Sequence, residues 1–224
     1  MSADIAQRIV ETGIVAIVRG TDPETAIETV DALQRGGVSV VEVTANTDGV
    51  LDMIRNIAST FTADEVAVGA GTVLDSETAR ATMLAGAEFI VTPSFDEETV
   101  RTANRYGAPS IVGVATPTEA VDAYTAGADM VKVFPASSLG PAFVSSLHGP
   151  LGHIPTVPTG GISLDNIGSF IDAGATAVGV GSSLVDGDAI ERGDYGEIET
   201  NAREFVAAVA TARDSGRVAD STSR

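Results

Sequence analysis

Ile14-Val-Ala-Ile-Val-Arg19, closed by Gly20 and followed by Thr21-Asp-Pro-Glu24, is the stretch that decides the fold. Its β-branched run reads as a buried strand. The four residues after the glycine read as a helix start, with Pro23 in the first turn, where a missing N–H costs nothing. That helix runs to about Arg35 and stops at Gly36-Gly37. The next apolar run, Val38-Ser-Val-Val-Glu-Val43, opens a second unit of the same kind. Strand-like runs recur at 66–71, 88–92, 109–114, 129–134, 155–159 and 176–181. The helical patterns between them begin at caps such as Asp75, Asp96, Thr116 and Ser163. Several end in a repeated punctuation: Ala85-Gly-Ala87, Tyr106-Gly-Ala108, Ala126-Gly-Ala128 and Ala173-Gly-Ala175. A glycine there suits the left-handed helix stop. Alternating strand and helix mean a parallel sheet. Eight such units with short connections fit a closed (β/α)8 TIM barrel. A doubly wound open sheet would normally use fewer strands and a glycine fingerprint after the first, which this chain lacks.

Around that frame, residues 2–12 read as a short leading helix and 186–197 as a surface loop before the last helix. The sequence from about Asp214 is polar and aperiodic, so 214–224 reads as a frayed tail. No linker divides the rest, which leaves one domain over 1–213.

The 224 residues carry a net charge of −18, which argues against nucleic acid as a partner. An acidic chain almost free of lysine resembles proteins from extreme halophiles in composition. Carboxylates hold water and cations, and salt screens their mutual repulsion. There is no cysteine, hence no disulfide framework and no thiolate zinc site or nucleophile. The N-terminus lacks an apolar signal core, and no run approaches a membrane span. A soluble, cytoplasmic protein is expected.

Lys132 is the only lysine; the other 12 basic residues are arginine. It lies in Asp129-Met-Val-Lys-Val-Phe-Pro-Ala136, flanked by apolar side chains. Burial can lower the pKa of a lysine until the neutral amine serves as a nucleophile. The bland alternative is a surface lysine left by chance. In a (β/α)8 barrel the chemistry sits at the C-terminal ends of the strands. The polar residues expected there are Arg19, Glu42, Thr44, Thr72, Thr92-Pro93, Lys132, Thr159-Gly160-Gly161 and Gly181-Ser182-Ser183. Arg19 and Lys132 are the only cations among them. Alternation puts Val40, Glu42 and Thr44 on one face, and Met130, Lys132 and Phe134 on one face. If both faces point inward, one carboxylate and one amine share a cavity. The alternative is a buried pair that only fixes the core, although such pairs seldom favour stability. The glycine turns after the seventh and eighth strands match the usual phosphate position of such barrels, or are tight turns without a ligand. His148 and His153 lie away from the strand ends, and no cluster has metal-ligand spacing.

These residues resemble a known family, the 2-keto-3-deoxy-6-phosphogluconate (KDPG) aldolases, with the related 2-keto-3-deoxy-6-phosphogalactonate and 4-hydroxy-2-oxoglutarate aldolases. The motifs that carry the resemblance are Ile14-Val-Ala-Ile-Val-Arg19, Val41-Glu-Val-Thr44, Gly69-Ala-Gly-Thr-Val73, Val91-Thr-Pro93, Val131-Lys-Val-Phe-Pro135, Pro158-Thr-Gly-Gly-Ile-Ser163 and Gly181-Ser182. They appear in order over roughly residues 10–210. The resemblance implies a homotrimeric barrel that uses a Schiff base, with no metal or cofactor, on a phosphorylated keto-deoxy sugar acid. Lys132 matches the imine-forming lysine and Glu42 the general acid/base. Arg19 and Thr72 match positions that hold the pyruvate part, with Pro93 and Phe134 beside it. Gly160, Gly161, Gly181 and Ser182 match the phosphate loops. Two positions point different ways. Many phosphogluconate enzymes have an arginine where this chain has Asn46, as the phosphogalactonate type does. Thr159 is the phosphogluconate-type residue at a position that affects stereoselectivity at C4, and it carries the greater weight. The implied reaction is cleavage of 2-dehydro-3-deoxy-6-phosphogluconate, the phosphogalactonate epimer being the alternative. A sugar-phosphate isomerase or epimerase, or an inactive phosphate-binding module, are the rival readings.

Overall fold

Seven parallel strands form the sheet: β1 (Ile14–Val18), β2 (Val40–Thr44), β3 (Ala67–Gly71), β4 (Ile90–Val91), β5 (Ser110–Val114), β6 (Met130–Val133) and β7 (Val178–Val180). They follow the order β6-β5-β4-β3-β2-β1-β7 in a computed structural model that describes residues 2–221, with side chains from Ile5 to Ser215. The stretch 155–159, expected as the seventh strand, lies between β6 and β7. Val131 bridges Thr156 and Thr159 bridges Gly179, both in parallel. It forms isolated bridges and not a continuous strand because Pro155 and Pro158 have no N–H for the ladder. Their carbonyls still accept, from Val131 N and Gly179 N at 2.9 Å each. The result is the expected α/β barrel, with eight strand positions of which seven are regular.

The helices are α1 (Ser2–Thr12), α2 (Pro23–Arg35), α3 (Val50–Thr60), α4 (Ser76–Ala85), α5 (Glu97–Tyr106), α6 (Pro117–Thr125), α7 (Ala136–Leu151), α8 (Ile167–Asp172), α9 (Gly187–Glu191) and α10 (Tyr195–Ser221). Asp75, Asp96 and Thr116 cap as expected, each accepting from the backbone N–H three residues on. Ser163 does not. Its N–H donates to Asn166 Oδ1 at 3.0 Å, and α8 starts only at Ile167. The region 186–197 is also more ordered than its composition suggests. Asp186 accepts from Ala189 N to open α9, and α10 starts at Tyr195. Helical backbone continues through 214–221, within the stretch read as a tail; 222–224 lie outside the described residues.

Alternation along the strands separates two cores. Val41, Val43, Val131 and Val133 face the helices in the larger cluster. Val15, Val40, Phe89, Ile111, Met130 and Val157 pack together inside the barrel. Ile5 and Ile9 of α1 join this inner cluster, so the leading helix plugs the N-terminal end. Arg8 holds the plug by donating to Ser39 Oγ at 3.2 Å and to the carbonyls of Ala63, Asp64 and Glu65. Arg213 of α10 braces it from the other side, donating to the carbonyls of Val10, Glu11 and Thr176. The base is thus filled and tied, and the polar residues gather at the opposite end.

Candidate active site

Lys132 comes from β6 and Glu42 from β2, each on the inward face, as the alternation requires. Lys132 is 4% exposed and Glu42 2%. Lys132 Nζ stands 4.0 Å from Glu42 Oε1, beyond hydrogen-bond reach, and 5.2 Å from the centre of the Phe134 ring. Glu42 Oε1 is buried without a hydrogen-bond partner among the described residues. Burial pushes the Glu42 carboxyl above its ordinary range, while Lys132 and then Arg19 pull it back. A pair kept only for stability would close into contact and satisfy its remaining atoms, because an unpaired buried oxygen carries the full desolvation penalty. This arrangement leaves the carboxylate short of a partner and aimed into the lumen. It suits proton transfer to a third group.

Arg19 follows β1 at the exposed mouth and donates from Nη2 to Thr72 Oγ1 at 3.3 Å. Thr72, after β3, has φ +55°, an uncommon left-handed conformation for a β-branched residue. That turn sets the Thr72 hydroxyl beside the guanidinium. Thr47 supports the same corner and carried no signal in the sequence. Its hydroxyl accepts from Gly20 N at 3.3 Å and pairs with Thr44 Oγ1 at 3.0 Å, tying the loops after β1 and β2 together. Thr92 Oγ1 accepts from Gly113 N at 3.3 Å and donates to Ser94 O at 2.7 Å. Pro93 is thereby pressed against Gly113, where a β-carbon would overlap the Pro93 carbonyl.

Phe134 lies at the rim between Lys132 and Gly160, its ring against Gly160. Gly160 and Gly161 take left-handed φ values of +93° and +77°. Their loop is fastened to the start of α7: Ala136 N donates to Thr159 O at 2.8 Å and Ser137 N to Gly160 O at 2.9 Å. Asn166, another residue the sequence did not flag, donates to Gly161 O at 2.8 Å and fixes the far side. After β7, Leu184 N and Val185 N both donate to Gly181 O at 2.9 Å, which starts a turn at Ser182. Among the described residues, the backbone N–H groups of Gly161, Ser182 and Ser183 donate to no protein acceptor. Free N–H groups on two such turns can accept an anion.

Thr159 is 4% exposed, with its hydroxyl donating to Val157 O at 3.2 Å and resting on Gly179. Asn46 is exposed in the loop after β2 and makes no hydrogen bond to the other site residues among those described. The histidines stay apart. His148 packs over Gly174, and His153 meets the Tyr124 ring edge-on at 5.3 Å. No group of three metal-ligating side chains converges among the described residues. No described helix is long and apolar enough to cross a membrane. A cavity of about 930 Å³ opens at the other end of the barrel, lined by Arg8, Glu88 and Tyr106 among others, far from Lys132. That end of such barrels serves stability.

A profile of the KDPG and KHG aldolases matches residues 5–201. The 2-dehydro-3-deoxy-6-phosphogalactonate aldolase of Escherichia coli (strain K12) is 36% identical over 181 residues, 80% of this chain and 88% of that protein. The 2-dehydro-3-deoxy-phosphogluconate aldolase of Pseudomonas aeruginosa is 36% identical over 175 residues, 78% and 79% of the two chains. Among solved structures, the KDPG aldolase of Legionella pneumophila, with pyruvate captured at low pH as a covalent carbinolamine, is similar with a TM-score of 0.82. It is 26% identical, over 88% of this chain and 96% of that one.

Proposed function

Since this chain belongs to the KDPG and KHG aldolase family, we propose that it cleaves 2-dehydro-3-deoxy-6-phosphogluconate to pyruvate and D-glyceraldehyde 3-phosphate through an imine on Lys132. The observation that carries this reading is the chain's one lysine, buried, facing an unpartnered buried carboxylate at 4.0 Å.

The amine form of Lys132 attacks the C2 carbonyl, and loss of water from the carbinolamine leaves a protonated imine. Glu42, directly or through a water, takes the proton from the C4 hydroxyl. The C3–C4 bonding pair flows into the imine, glyceraldehyde 3-phosphate departs, and an enamine remains on Lys132. Protonation at C3 and hydrolysis of the imine release pyruvate and return the lysine. Arg19 and the Thr72 hydroxyl hold the pyruvate carboxylate, and Pro93 and Phe134 wall the three-carbon unit. The Gly160-Gly161 and Gly181-Ser182 turns receive the phosphate, on the free backbone N–H groups of Gly161, Ser182 and Ser183. No step requires a metal or a cofactor.

Thr159 supports the gluco epimer: it shares the inward face of its segment with Val157, and its buried hydroxyl is held by Val157 O. Asn46 supports a second reading, the phosphogalactonate substrate, since it is neutral where an arginine would carry charge. We place the enzyme in the cytoplasm as a homotrimer, on the strength of the family and of a chain without cysteine. Two measurements test the reading. Borohydride with pyruvate should label Lys132 alone, and pyruvate release should be faster from the gluco epimer at C4. Labelling elsewhere, or none, removes the imine; a preference for the galacto epimer transfers the assignment to the second substrate.

A further inference from the structure

Gly71 is a glycine that its own backbone does not require. Its φ lies outside the left-handed region that the loop glycines occupy, and it ends a regular strand. A glycine in a strand weakens it, and marks a place where another group comes close. Here that group is Glu42. In the β2–β3 register Glu42 stands opposite Gly69 and Thr44 opposite Gly71. The Glu42 side chain therefore leans one step up the barrel and lies over Gly71. A β-carbon built on Gly71 would overlap Oε1, Cδ and Cγ of Glu42, and these are its three nearest atoms. The backbone is pinned against retreat, since Gly71 O accepts from Ala45 N at 2.6 Å and Val73 N donates to Val91 O at 3.2 Å.

We propose that Gly71 is a positioning residue for the aldol chemistry: its bare α-carbon is the berth of the Glu42 carboxylate and sets the 4.0 Å gap to Lys132. Any side chain at 71 displaces the carboxylate before it disturbs the lysine, so imine formation and proton transfer separate. The inference rests on the acid/base reading of Glu42, and its test distinguishes the two.

Gly71→Ala is made in three backgrounds: wild type, Glu42→Gln and Glu42→Asp. In the wild-type background, kcat for cleavage should fall about 10²-fold, as an ångström of misplacement can cost, while borohydride still traps pyruvate on Lys132. In Glu42→Gln the added methyl should change residual kcat by less than about 2-fold, because both changes act on one group. In Glu42→Asp the missing methylene leaves space for the methyl, so Gly71→Ala should cost far less activity and stability than in wild type. Equal losses in all three backgrounds, no loss in any, or failure of both Gly71→Ala and Gly71→Ala/Glu42→Asp to fold would overturn the proposal. If Glu42→Gln alone leaves turnover intact, the acid/base reading falls. The thermal unfolding of Gly71→Ala against its Glu42→Asp double variant then decides whether Gly71 houses that side chain.

Discussion

Lys132 Nζ and Glu42 Oε1 face each other across 4.0 Å inside the barrel, close enough to feel each other's charge and too far apart to share a hydrogen bond. The gap lets a substrate carbonyl be converted to an imine without first breaking a hydrogen bond between the two side chains. Lys132→Ala should abolish both turnover and borohydride trapping of pyruvate. Lys132→Arg should fail equally, because a guanidinium stays protonated and cannot form the imine. Mass analysis of the trapped protein checks both variants. An adduct surviving in either one would remove Lys132 from the chemistry.

Glu42→Gln keeps the shape and removes the base. It should lower kcat by ~10²–10⁴-fold, the usual worth of general acid/base help, while pyruvate is still trapped on Lys132. Measuring turnover and adduct formation on one preparation separates the roles. Loss of the adduct together with turnover would mean that Glu42 serves imine formation or the fold instead.

The pH profile carries a sign. Burial raises the pKa of Glu42, so its working carboxylate is lost on acidification at a higher pH than an ordinary glutamate's. Arg19 pulls that pKa down, so Arg19→Ala should shift the acid limb of kcat/KM to higher pH. The same variant should raise KM for pyruvate, because Arg19 and the Thr72 hydroxyl stand together at 3.3 Å. A shift of the limb to lower pH would contradict the electrostatics, and an unchanged KM would take Arg19 out of the binding site.

The barrel and the central pair were legible because both follow from alternation. A period of two fixes Glu42 and Lys132 on the inward faces once the strands are found, and left-handed glycines 86, 107, 127 and 174 do end their helices or turns. What escaped the sequence depends on contacts between elements or on local competition. Pro155 and Pro158 turn an expected strand into two bridges, and only the partners of their carbonyls reveal that the barrel still closes. Asn166 competes with Ser163 for the turn before α8 and wins by donating to Gly161 O as well. Asp186 caps a short helix inside a stretch whose glycines and aspartates look like a loop. Thr47 and Gly71 join the candidate site only through what leans on them from a neighbouring strand or loop, and no spacing encodes that.

The plug at the base should matter to stability and not to chemistry. Ile9 is fully buried in the inner cluster, at the opposite end from Lys132. Ile9→Ala removes that side chain from a tightly packed barrel and should cost about 2–5 kcal/mol. Thermal or denaturant unfolding measures the loss. Borohydride trapping per folded molecule should match wild type; a weaker trap at full folding would tie the plug to the active site.

Salt should stabilise this protein through its charge. The chain has 31 acidic residues against 13 basic ones, so most carboxylates lack a cation even though Arg35, Arg101, Arg192 and Arg203 are each paired. Those pairs are partly exposed and contribute little. The surplus repels itself more in the compact state than in the expanded chain. Raising ionic strength from 0.1 to 1 M shortens the screening length from about 10 to about 3 Å, which relieves the folded state preferentially. The melting temperature should therefore climb from dilute buffer to molar KCl and climb equally in NaCl, since screening depends on ionic strength and not on the cation. Partial neutralisation of the carboxylates at low salt should reproduce part of the rise, until the helix cap Asp75, whose carboxyl the Thr78 backbone N–H holds below the ordinary range, begins to protonate. A melting temperature indifferent to KCl, or lower in it, would show that the acidic surface is solvated without cost and that the composition says nothing about the protein's solvent.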